Sequence, residues 1–326
     1  MKKKISLLLA GILVLSMFMM TACGGSDDGG ADTQSSKIRM ATGGTSGTYY
    51  AFGGVVGTEL SNAVEGLSFD VQSTGASLAN IRLVAGEEVD MAIVQNDVMD
   101  YAYNGTNLFD GEAVKGFSSM AACYAEVCQL VVSADSGINS VADLAGKRVS
   151  IGDAGSGVEF NARQILEAYG LTTDDITVQN LGFGDSADAV KDGKIDAFFC
   201  TAGAPTTAVM ELSTTKGIKV IEIAGAEADK LMEAYPFYTS YVIPANTYSG
   251  QAEDVTTVAV KATFIVRDGL SEDLVYNMTK ALFESKDAIT AGHAKGAELD
   301  TTYAVEGISV PFHPGAEKYF KEIGVL

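Results

Sequence analysis

One order of strand and helix occurs twice in this chain, and that repeat constrains the fold more than any other feature. Ile38–Thr42 reads as a strand, GGTSG as a loop and Thr48–Val64 as a helix. Leu67–Val71, the turn STGAS, a helix from Leu78 to Ala85 and the apolar strand Met91–Val94 follow, ending in QND. The same order returns as Arg148–Ile151, GDAGSG, Val158–Tyr169, Thr177–Leu181, GFGDS, Ala187–Asp192 and Ala197–Cys200, ending in TAGAPTT. GEEVDMAIVQND and DGKIDAFFCTAG align as helix end, acid, buried strand and polar break, with Asp90 and Asp196 in matching places. Strands alternating with helices at this spacing predict βαβ units and parallel sheet. Two such sets predict two similar α/β lobes, in preference to a chance likeness between two βαβ units.

At the length that follows the second set, no third independent domain is expected. Phe237–Ile243 and Thr256–Val266 are strand-like, and helices follow near Glu272–Ala291 and after Pro314. A return to the first lobe is expected. That gives a discontinuous lobe 1 (37–130 and 241–326), a lobe 2 (131–240), and hinge strands near 128–134 and 238–244.

The N-terminus sets the expected compartment. Lys2, Lys3 and Lys4 precede an apolar run from Ile5 to Met20, the pattern of a secretory signal peptide over residues 1–22. Met20-Thr21-Ala22-Cys23 resembles a lipobox, so Cys23 is the expected lipidation site and membrane anchor. GGSDDGGADTQSS then gives a polar tether over residues 23–36, with too little apolar surface to fold. Without the signal, 19 basic residues face 42 acidic ones, a net charge of −23. Such a balance argues against nucleic acid as a partner, since phosphates need basic patches.

The polar, glycine-rich segments fall where the strands of open α/β sheets end, which is where such sheets bind ligands. Glycines there let backbone N–H groups approach closely, and helix N-termini favour an anionic group such as a carboxylate. Thr45, Thr48, Thr74, Ser156 and Thr206 add hydroxyls, and Tyr49 and Tyr50 can wall a pocket. Arg82 and Arg163 fall inside helices and fit salt bridges better than a carboxylate clamp. Asp97, at a strand end, fits either an amino group or a helix cap. Cys123 and Cys128 are either a small loop disulfide or two free thiols, and Cys200 reads as a buried hydrophobe. His293 and His313 have no spacing suited to zinc, so no metal and no cofactor is expected.

ATGGTSGTYYAFGG, STGASLANIRLVAGEEVDMAIVQNDV, GSGVEFNARQILEAYG, AGAPTTAV and HPGAEKYFKEIG together resemble the TAXI family, the solute receptors of one branch of tripartite ATP-independent periplasmic (TRAP) transporters. The resemblance implies a two-lobed, periplasmic-binding-protein-like (type II) clamshell, each lobe a mixed, mostly parallel sheet flanked by helices. It further implies a glutamate-like amino acid or small carboxylate as ligand and an integral-membrane permease as partner, for a chain expected to act as a monomer. Carried onto matching motifs, the site comprises Gly44, Thr45, Thr48, Tyr49, Tyr50, Thr74, Gly75, Ala76, Gln95 and Asp97. Ser156, Gly157, Gly203, Pro205 and Thr206 lie opposite. Ala204 stands where a larger, often aromatic residue is usual before the proline, which would enlarge the pocket. Cys123-Tyr124-Ala125-Glu126 replaces a more usual Tyr-Pro-Glu.

An enzyme is the rival class, but no GK[ST] follows GDAGSG, no nucleophile elbow surrounds Ser46, and neither histidine falls in a strand-end loop. A two-lobed receptor for an ATP-driven importer is the nearer alternative.

Overall fold

The computed structural model describes residues 36–109 and 111–326; the expected signal peptide, Cys23 and the tether up to residue 35 lie outside the described residues. The first repeat forms β1 (Ser36–Ala41), α1 (Thr48–Ala63), β2 (Leu67–Gln72), α2 (Ser77–Ala85), β3 (Met91–Gln95) and α3 (Asn96–Asn104). A long β4 (Phe117–Ser133) leads to β5 (Arg148–Ser150), α4 (Gly157–Ala168), β6 (Thr177–Gln179), α5 (Phe183–Lys191), β7 (Ala197–Ala202) and α6 (Thr207–Thr215). Next come β8 (Ile218–Ile221), α7 (Gly225–Ala234), β9 (Thr239–Ile243) and a long β10 (Val255–Arg267). Helices α8 (Glu272–Glu284), α9 (Lys286–Gly292), α10 (Thr301–Val305) and α11 (Pro314–Glu322) end the chain.

The strands pair in the order β2-β1-β3-β10-β4-β7-β5-β6, with β8 added on β4 and β9 on β10. β1 is parallel to β2 and β3, and β5 is parallel to β6 and β7. β10 runs antiparallel to β3, and β4 antiparallel to β7. The quartets β2-β1-β3-β10 and β6-β5-β7-β4 therefore share one order and one polarity. Each half is a mixed, mostly parallel sheet, and β4 and β10 pair to join them. β3 and β7 are buried along their whole length, as central parallel strands covered on both faces must be. Helix α1 lies close on its sheet because Gly53 and Gly57 face it. A Cβ there would stand 2.9 Å from Thr42 Cγ2 and 3.0 Å from Phe69 Cβ.

Strand β4 is long enough to serve both halves. Met120 and Tyr124 pack in the core of the first half, Leu130 and Val132 in that of the second. β10 changes cores in the same way, from Val258 and Val260 to Phe264 and Val266. The two changeovers coincide, because Glu126 is the register partner of Val260 and Ala125 that of Lys261. Ile243, Tyr248 and Val255 pack with Phe198 and Val209 in the second half.

The disulfide alternative for Cys123 and Cys128 does not hold. Both thiols are free and buried. Five residues apart on one extended strand, their Cα atoms stand roughly 16 Å from each other, far beyond the reach of a disulfide at about 7 Å. Cys200 is likewise buried and free.

Candidate functional site

Three helix N-termini converge between the halves. α1 starts at Gly47 and α2 at Ala76, and neither has a side chain capping its first turn. α4 starts at Ser156, whose Oγ accepts from the Glu159 N–H at 3.3 Å. Residues of all three starts line one cavity of ≈ 50 Å³, together with Gln95, Glu126, Asp153, Phe183, Thr201 and Ala202. At ~10–15 Å³ per water-sized occupant, that is room for a few water-sized groups. Uncapped first-turn N–H groups and the helix dipole favour an anionic group here.

Hydrogen bonds bridge the halves around this space. Thr48 Oγ1 donates to Gly203 O at 3.1 Å, and Leu78 N to Gly155 O at 3.2 Å. Gly184 N donates to Ser46 Oγ at 3.1 Å, and Ala208 N to Ser46 O at 3.3 Å. Gly157 permits the closest approach, since a Cβ on it would stand 1.2 Å from Gln95 Oε1 and 2.8 Å from Ser77 Oγ.

Of the residues singled out in the sequence, Gly44, Thr48, Tyr49, Ala76, Gln95, Ser156 and Gly157 line the cavity. Thr45, Tyr50, Thr74, Gly75, Asp97, Gly203, Pro205 and Thr206 do not. Tyr50 points outward at 37 % exposure. Thr74 Oγ1 is tied to Thr42 O and Asn80 Oδ1, holding its own turn together. Gly203 serves as the acceptor that closes on Thr48, and Pro205 follows Ala204 through a cis bond. Thr206 Oγ1 donates to Gly203 O at 3.0 Å, and its N–H donates to Tyr248 Oη at 3.0 Å. Ala204 packs in the core of the second half rather than on the cavity, so it does not enlarge the space as expected. Arg163 pairs with Glu159 on α4.

Asp153, Phe183, Thr201, Ala202 and above all Glu126 line the cavity beyond the residues singled out in the sequence. Glu126 lies on the cavity wall where β4 changes cores, and it is 2 % exposed. Its Oε1 has no hydrogen-bond partner among the described residues, nor do the hydroxyls of Tyr49 and Tyr124. An unpaired buried carboxylate is costly, so such a group is either neutral or awaits a partner. Burial pushes the Glu126 carboxyl up to about 8, against smaller opposing effects of Tyr124, Lys295 and Tyr49. Lys295 is itself held by Glu298 Oε1 at 2.5 Å, and Glu298 Oε2 accepts from Ala125 N at 2.9 Å. A signal was available: Glu126 is the one charged residue in the strand FSSMAACYAEVCQLVVS. An acid inside such a run is rarely there for solubility.

The NMT1-like family pattern matches residues 40–324, nearly all of the described chain. The chain belongs to the NMT1-like family. Among solved structures, this NMT1-like chain resembles a periplasmic transporter at TM-score 0.55 and 16% identity, over 88% of this chain and 92% of that one. It also resembles the alkanesulfonate-binding protein SsuA from Xanthomonas axonopodis pv. citri bound to MOPS, at TM-score 0.51 and 13% identity, over 88% and 84% of the two chains. A putative L-cystine ABC transporter from Listeria monocytogenes matches at TM-score 0.50 and 20% identity, over 79% and 94%. At these identities the likeness is one of fold. The NMT1-like chain has the two-lobed, mixed α/β fold of periplasmic-binding-protein-like substrate-binding proteins.

Proposed function

We propose that this chain is an extracytoplasmic solute receptor that closes its two lobes around a small amino acid or carboxylate and hands it to a membrane importer. One observation carries the reading: a cavity bridged by hydrogen bonds between the halves, with uncapped helix N-termini on one side and the unpaired, buried Oε1 of Glu126 on the wall. The N-termini suit a carboxylate. Glu126, with the Tyr49 and Tyr124 hydroxyls, suits an ammonium group, so a zwitterion would satisfy both. Gly44, Thr48, Tyr49, Ala76, Gln95, Ser156 and Gly157 are the proposed contacts, with Glu126 added. Thr45, Tyr50, Thr74, Gly75, Asp97, Gly203, Pro205 and Thr206 would shape or close the site rather than touch the solute.

The lobes would be residues 37–130 with the chain after about residue 260, and the segment between. Tyr248 and Val255 pack in the second core, which moves the proposed return from residue 241 into β10. Rocking about β4 and β10 would open the cleft.

An ATP-driven importer is the partner favoured by the names of the structural relatives, one an alkanesulfonate-binding protein and one an ABC transporter. A TRAP permease rests on the sequence resemblance to the TAXI family. A neighbouring gene for an ATPase or for a fused permease separates the two. Cys23 would anchor the receptor to the membrane in either case.

The deciding measurement is a thermal-shift screen of amino acids and small carboxylates, after unfolding and refolding to strip any bound solute. A matching solute raises the melting temperature by mass action. A panel without a single response counts against the receptor reading.

A further inference from the structure

Behind the cavity a buried polar cluster joins the two halves. Gln95, Asp97 and Tyr101 come from the first half; Asn161 and Gln164 of α4 and Tyr238 come from the second. None is more than 6 % exposed. Gln95 Nε2 donates to Asn161 Oδ1 at 2.5 Å, and Asn161 Nδ2 donates to Asp97 Oδ2 at 2.9 Å and to Tyr238 Oη at 2.7 Å. Tyr238 Oη donates to Gln164 Oε1 at 2.6 Å, and Gln164 Nε2 donates to Tyr101 Oη at 3.1 Å. Asp97 Oδ1 is buried with no side-chain or main-chain partner among the described residues. Asp97 is thus a carboxylate placed at the seam, half satisfied by a donor from the opposite half.

We propose that Asp97 is a proton-operated latch: closing the halves buries its carboxyl against Asn161 and draws a proton onto it, so acid pH favours the closed form. The inference rests on the reading that the two halves open and close. In the closed form, burial raises the Asp97 carboxyl to about 7, while nearby backbone N–H groups at the α3 N-terminus and the bond from Asn161 pull it down. Opening exposes the carboxyl to water, where an aspartate titrates near about 4. The closed form therefore binds the proton more tightly. Closure is strengthened as pH falls from about 7 towards about 4, and at most about tenfold per pH unit for one proton.

The groups facing Asp97 do not supply this titration. Tyr101 on its own helix, Tyr238, Tyr49 on α1 and Cys128 on β4 are all pushed upward by burial and stay neutral. Asp100, one turn along α3, adds negative charge that raises Asp97 further. Glu126 remains as a second buried acid, and the test separates it.

Small-angle X-ray scattering of the solute-free protein at about pH 5.5 and about pH 8.5 reads the balance of open and closed forms. Wild type should be the more compact at the lower pH. Asp97→Asn should lose a clear part of that difference, because the amide mimics the neutral acid while Glu126 still titrates. Glu126→Gln should keep the share of the response that Asp97 carries, and the double variant should be equally compact at both. A wild type indifferent to pH overturns the latch, as does an Asp97→Asn variant that responds as wild type does, or a response lost in Glu126→Gln. Should Asp97→Asn fail to fold, the carboxyl ¹³C resonance of Asp97 in the wild type decides: a midpoint near 7 in the compact form supports the latch, and one near 4 refutes it. No solute is used, so a failed solute screen leaves this result standing, and the reverse holds too.

Discussion

Asp90 and Asp196 sit at the same place in the two repeats, just before β3 and β7, yet the two halves use them differently. Each holds an arginine from the first strand of its own repeat. Asp90 accepts from Arg39 N, Nε and Nη2 at 3.0, 2.9 and 3.0 Å; Asp196 accepts from Arg148 N, Nε and Nη2 at 2.8, 3.1 and 2.7 Å. The difference is what covers them. Arg267, at the end of β10, adds a fourth bond to Asp90 at 2.8 Å, and the Asp90 side chain is 7 % exposed against 29 % for Asp196. Burial alone would raise the Asp90 carboxyl, but the bonds from Arg39 and Arg267 outweigh it and hold the group at about 2. Asp196 is lowered too, chiefly by Arg148. A repeated sequence thus gives the same local motif twice, and the layer packed on top sets its weight.

Removing each acid tests that contrast most severely. Asp90→Ala leaves two arginines facing a vacated, half-buried site and should cost about 3–5 kcal/mol, as loss of one partner of a buried pair does. Asp196→Ala should cost well under half as much, as for exposed pairs. Equal shifts in the urea midpoint of the two variants would break the comparison.

The halves also differ in how they meet. Gly157→Ala, whose new methyl would overlap Gln95 Oε1, should abolish the solute-induced rise in melting temperature. The solute-free protein should lose little, because opening relieves the clash. A full solute response in Gly157→Ala would show that the closed contact at α4 is dispensable.

Titration sharpens the contrast from both ends of the pH scale. Asp90 is depressed, so its stabilisation is complete above its unfolded value of about 4 and is lost as pH falls towards about 2. Acid unfolding of Asp90→Asn should therefore be flatter than that of Asp196→Asn. Glu126 is raised, so its contribution is complete below its unfolded value of about 4 and is lost as pH rises through about 8. Melting temperatures of the solute-free protein should fall between about pH 5 and about pH 8, and Glu126→Gln should remove part of the fall. An identical alkaline slope in the variant would remove Glu126 from the account.

The smallest effect concerns α1. Gly54 meets nothing within 4 Å of an added Cβ. Gly54→Ala should therefore stabilise the protein by about 0.5–1 kcal/mol. Gly53→Ala, pressed on Thr42, should do the opposite, and a shared sign in chemical denaturation would contradict the packing described for this helix.

Periodicity and turn residues determined the repeated βαβ order, the mixed parallel character of each half and the strand-end loops, because those signals are local. Gly44, Thr48, Tyr49, Ala76, Gln95, Ser156 and Gly157 were legible for that reason, since each stands at a strand end or helix start. Thr74 and Thr206 carry the same signal, but their hydroxyls are taken up by Thr42 O and by Gln129 Nε2, neighbours distant in sequence. Glu126 was hidden for the opposite reason: it sits mid-strand, where periodicity marks core and not chemistry. Its meaning depends on β4 and β10 changing cores side by side, a pairing between residues more than a hundred positions apart. The free Cys123 and Cys128 follow from the same strand, because one extended element holds them apart. The sequence by itself determined that the protein has two alike halves with loops facing a common edge. Tertiary structure alone decided which acid faces the cavity, which one lies at the seam and which is buried among arginines, because burial and long-range pairing set the cost of a charge.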